Sequence, residues 1–165
     1  MHKKSLGFVL LAACAFATPV LAQQTVKVQS TIPYAEDNDI SDTIKTECPL
    51  GTQLAGFIKQ YSTVPVELVD GEASKSSGRV LEVTITDAVS MGNAWMGHQK
   101  FAKIKGTLFD NGKKVASFKA RRNSMGGAFG GFKGSCSVLG RTVEVLGQDV
   151  GGWLKDPRDG AALGD

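Results

Sequence analysis

The chain predicts an α/β fold: a two-layer sandwich in the order β-α-β-β-β-α, with two helices on one face of a four-stranded, mostly antiparallel sheet. Three observations predict it. Apolar and polar residues alternate with period two over 25–30, 79–88, 99–109 and 114–122. Apolar residues recur at helical spacing after Pro49 and again after Ser135. Asp110-Asn111-Gly112 separates two of the strand segments, and Asn-Gly tolerates the positive φ of a tight hairpin. Two amphipathic helices and a half-apolar sheet hide their apolar sides by packing on one another.

Residues 1–22 have the plan of a secretory signal. Met1-His2-Lys3-Lys4 is basic, Ser5 to Ala17 is apolar, and Val20-Leu21-Ala22 is a small-x-small cleavage site after Pro19. The apolar core falls short of the ~18–20 residues a membrane helix needs. Cleavage after Ala22 is expected. A competing reading is lipidation at Cys14, because Leu11-Ala12-Ala13-Cys14 resembles a lipobox, although the apolar run continues past it. The mature chain is then a periplasmic or secreted domain, 23–157, with a flexible tail over 158–165; a lipoprotein anchored at Cys14 is the alternative.

The elements follow in order. Thr25 to Ser30 reads as the first strand. Pro33 to Cys48 is acidic and reads as a long connection with one short element. Pro49 suits a first helical turn, where its missing N–H costs nothing. Leu50, Leu54, Phe57, Ile58 and Tyr61 then form one helical stripe. Asp70 to Gly78 is a polar loop. Leu81, Val83 and Ile85 share one face of the second strand, and Glu82, Thr84 and Thr86 the other. Ala102, Ile104 and Leu108 point inward from the third strand; Ala116, Phe118 and Ala120 do so from the fourth. A glycine-rich loop, 124–134, leads to Ser135 as a candidate N-cap. Leu139, Val143, Leu146, Val150 and Trp153 stripe the closing helix.

Charge and cysteines bound the function. The chain has 19 basic and 16 acidic residues, and removing the signal leaves it near neutral. Net charge therefore points to no nucleic-acid partner. Cys48 and Cys136 remain after the signal is removed, and an even pair in an exported domain predicts a disulfide. Strand order puts both at helix starts on the same end of the sheet, which allows the bond.

Gly140-Arg-Thr-Val-Glu-Val-Leu-Gly-Gln-Asp-Val-Gly-Gly-Trp-Leu-Lys-Asp-Pro157 resembles the closing helix of small proteobacterial envelope proteins of unknown function, many of them lipoproteins. The resemblance covers about the last third of the chain and implies an envelope location and the α/β layout. It implies no activity.

Catalytic signatures are weak, and no enzyme and no cofactor are expected. The glycine-rich loop lacks Gly-Lys-Ser/Thr and a dinucleotide fingerprint. A nucleophile–histidine pair would depend on His98, the one histidine outside the signal. Met91, Met96, His98 and Met125 have the thioether and imidazole chemistry of copper(I) ligands, the alternative function, but no signature spacing. The leading expectation is a non-enzymatic binding module that contacts a protein or small ligand through loops 89–98 and 124–134. Those loops carry Met91, Asn93, Trp95, Met96, His98, Met125, Phe129, Phe132 and Lys133, a heavy apolar load for connections. A second candidate surface is basic. Lys100 to Arg122 holds eight basic residues and one acid, and period two gathers Lys103, Lys105, Lys119 and Arg121 on the sheet face away from the helices.

Overall fold

The computed structural model describes residues 24–91, 99–124 and 134–165. The elements are β1 (Val26–Gln29), α1 (Asp42–Glu47), α2 (Leu50–Tyr61), β2 (Val66–Val69), β3 (Arg79–Met91), β4 (Gln99–Asp110), β5 (Lys113–Ser124), α3 (Ser135–Trp153) and β6 (Ala161–Gly164). The sheet order is β2-β1-β3-β4-β5-β6. The α/β class is as the sequence predicts. The four-stranded sheet is corrected to six, because short strands close both edges. The pairing is mixed: the two long ladders, β3–β4 and β4–β5, are antiparallel, while the short ladders of β1 with β2 and β3, and of β5 with β6, are parallel.

The two edge strands have physical causes. β2 follows α2 closely, and Val26 N–H donates to the Pro65 carbonyl at 2.9 Å to set its register. β6 lies within 158–165, where a flexible tail was expected. Trp153 brings the chain back: its indole N–H donates to the Arg158 carbonyl at 3.2 Å, and its ring meets Phe118 edge-on with centroids 4.9 Å apart. Ala161 and Leu163 then pack on the core opposite Phe118 and Ala120.

The core lies between the sheet and α2 and α3. All the strand residues predicted to point inward are buried, as are Leu50, Leu54, Ile58 and the whole α3 stripe. Gly106 faces Phe118 across β4–β5, and a Cβ there would collide with the ring. Asn111 (φ 48°) and Gly112 (φ 83°) make the predicted hairpin. The N-cap of α3 is Gly134, one residue earlier than expected. Ser135 instead accepts a hydrogen bond from the Ser90 hydroxyl at 2.7 Å. No helix among the described residues is long and apolar enough to cross a membrane.

Candidate functional site

The outer face of the sheet, opposite the helices, carries two adjacent rows of basic residues. β4 turns Phe101, Lys103, Lys105 and Thr107 outward, and β5 turns Ser117, Lys119 and Arg121 outward. Register sets Lys103 opposite Arg121 and Lys105 opposite Lys119. Like charges directly across a ladder destabilise it, so each pair needs compensation or carries a cost.

The upper pair is compensated. Lys103 Nζ lies 3.0 Å from Asp87 Oδ2. The Phe101 ring holds Lys103 Nζ at 4.9 Å and the Arg121 guanidinium at 4.6 Å from its centroid. Arg121 also donates to Asn123 Oδ1 at 3.0 and 3.2 Å. Asp87 reaches this face through a bulge. The β3–β4 register slips between Ile85 and Asp87, which turns Asp87 outward beside Lys103 and Ala88 inward.

The lower pair is not compensated. Among the described residues, Lys105 and Lys119 have no acidic partner, because the acids on the rim are committed elsewhere. Glu82 pairs with Lys75 at 2.6 Å, Asp159 with Lys114 at 3.0 Å, and Asp165 with Arg122 at 2.7 Å. The Ser117 hydroxyl, and then Lys114, hold the Asp159 carboxyl below the usual carboxylate range. The Asn123 backbone N–H, and then Arg122, do the same for Asp165. Arg122 is further clamped by both oxygens of Asp149 at 2.8 and 2.9 Å, which raises its own pKa.

Two hollows open over these residues, of about 570 and 540 Å³. Both are lined by Lys105, Lys119 and Ala162. The small Ala162 stands beside Lys119 in the β5–β6 register and leaves the space open.

Lys103, Lys105, Lys119 and Arg121 thus share one face. Sequence reasoning missed Phe101, although it has the parity of Lys103 and Lys105. It also missed Asp87, hidden by the bulge, and β6. The other candidate surface is described only at its base. Asn93, Trp95, Met96, His98, Met125, Phe129, Phe132 and Lys133 lie outside the described residues. Met91 closes β3 opposite Gln99, and Lys100 pairs with Ser124, so the strand ends that bear both loops lie together. Cys48 and Cys136 are bonded there, with Cα atoms 5.0 Å apart. Among the described residues, no three His, Cys, Asp or Glu side chains are grouped to hold a metal.

No family model and no curated protein matches the chain. Solved structures do. Protein XCC0632 from Xanthomonas campestris is 10% identical over 87% of this chain and 91% of that one, with a TM-score of 0.50, which shows a shared fold. The PelC dodecamer from Paraburkholderia phytofirmans is 13% identical over 80% and 92%, with a TM-score of 0.47. Lipoprotein GNA1162 from Neisseria meningitidis is 16% identical over 74% and 94%, with a TM-score of 0.43.

Proposed function

We propose that the chain is a non-enzymatic accessory domain of the bacterial envelope that binds an anionic partner through the outer face of its sheet. The carrying observation is Lys105 facing Lys119, with neither paired to an acid among the described residues. A ladder position that gives up stability by setting two ammonium groups together gains a purpose when an anion bridges them. The signal-like first 22 residues and the Cys48–Cys136 bond support export. The test is titration of the full chain with a polyanion at rising salt. Binding that weakens with salt, and about tenfold with Lys105→Gln/Lys119→Gln, is expected. Binding unchanged in the double variant sinks the reading.

A second reading places a protein partner on loops 89–98 and 124–134. It is favoured by the disulfide and the Ser90–Ser135 hydrogen bond, which tie together the ends from which those loops leave. Trp95→Ala that abolishes partner capture without changing the melting temperature supports it; loss of stability with capture intact counts against it.

A further inference from the structure

We infer that the occupant of the outer face is a linear acidic glycan, a chain of carboxylate-bearing sugars laid along the strands between β3 and β6. The inference rests on the anionic reading above and narrows it to a ligand class.

Shape is the first argument. The hollow over Thr84, Thr107 and Ser117 and the hollow over Thr86, Lys103 and Arg121 meet at Lys105 and Lys119, so they form one trough running with the strands. From Thr107 to Lys103 its lining extends about 14 Å at the rise of a β-strand. That length suits a chain and exceeds what a single small anion fills. Charge spacing agrees. Outward positions recur about every 6.8 Å along β4 and β5, and the two rows are about 4.8 Å apart. An exposed ion pair contributes little by itself, so useful affinity at such open lysines comes from a ligand that repeats its charge and engages several rungs at once.

The lining chemistry selects among chains. Beside the ammonium groups the face offers the hydroxyls of Thr84, Thr86 and Thr107, which match the hydroxyls of sugars. The backbone of β4 is paired on both sides, to β3 and to β5. An acidic peptide lying over it finds no main-chain ladder to join. A nucleobase finds no free aromatic face, because Phe101 already carries Lys103 and Arg121. The lining also holds the carboxylates of Glu82 and Asp165, paired to Lys75 and Arg122, so the features the trough asks for together are carboxylates at Lys105 and Lys119 and hydroxyls at the threonines.

The experiment is calorimetric titration of the full chain in about 0.15 M salt with polygalacturonate, galacturonate monomer, poly-L-glutamate, neutral dextran and anionic lipid vesicles. Polygalacturonate is expected to bind about 100-fold more tightly than the monomer. Thr84→Val/Thr107→Val, which keeps shape and charge, is expected to weaken polygalacturonate and leave any poly-L-glutamate binding unchanged. Monomer binding as tight as polymer overturns the linear chain. Poly-L-glutamate or vesicles binding as well as polygalacturonate overturns the glycan and leaves the anionic reading standing. Dextran binding equally, or no polyanion binding at all, overturns both.

Discussion

A Cβ placed on Gly147 would lie 2.5 Å from the Cβ of Phe57, so α3 is held against α2 at a distance only glycine permits. Gly151, one turn on, would meet the Tyr61 backbone at 2.8 Å, whereas Gly152 faces open space. Gly147→Ala and Gly151→Ala are therefore expected to destabilise the fold by about 1–3 kcal/mol each, through overpacking. Gly152→Ala should be neutral or stabilising by up to about 1 kcal/mol, from helix propensity alone. Chemical denaturation of the three variants checks this; equal effects would contradict the close approach.

The Cys48–Cys136 bond spans 88 residues of chain. Cys48→Ala is expected to cost about 2–5 kcal/mol, read as a lower denaturation midpoint. Non-reducing mass spectrometry of the protein should find the two cysteine peptides linked.

The Lys105–Lys119 pair should also strain the sheet. Lys119→Glu converts the like pair with Lys105 into an opposite one and is expected to raise stability by about 0.2–1 kcal/mol. The same change should weaken polyanion binding at least as much as Lys119→Gln. A variant both less stable and unchanged in binding would remove the argument that this pair is kept for a ligand.

Acid should release β6 first. Asp159 and Asp165 flank it, and both carboxyls are held below their ordinary range by partners on β5 and beside it. A lowered folded-state value gives stability that is complete above about pH 4, the unfolded carboxylate value. It is lost as pH falls through the lower folded value. Amide exchange across that window should therefore accelerate in Ala161–Gly164 before it does in β3 or β4.

Much of this was legible because the long strands bury one face and the helices one stripe. β3, β4 and β5 are each twelve or more residues long, and alternation over most of each let the inward set be read directly. β2 is four residues, Val-Glu-Leu-Val, with Val69 breaking the alternation, and β6 is Ala-Ala-Leu-Gly. Such segments become strands because their neighbours offer an open edge, which local sequence does not encode. The basic rows followed from parity, but the neutralising Asp87 did not. Strict alternation from Ile85 turns Asp87 inward, and only the slip at Thr86 brings it to Lys103.

The wall beside Lys119 belongs to β6, which reaches β5 from across α3. A chain emerging N-terminus first therefore displays its lysine rows while that side of the trough is still absent. That side of the trough requires Ser135–Trp153 to dock and the chain to turn back at Arg158. A product truncated before Ala161 would keep the charges and lose the channel.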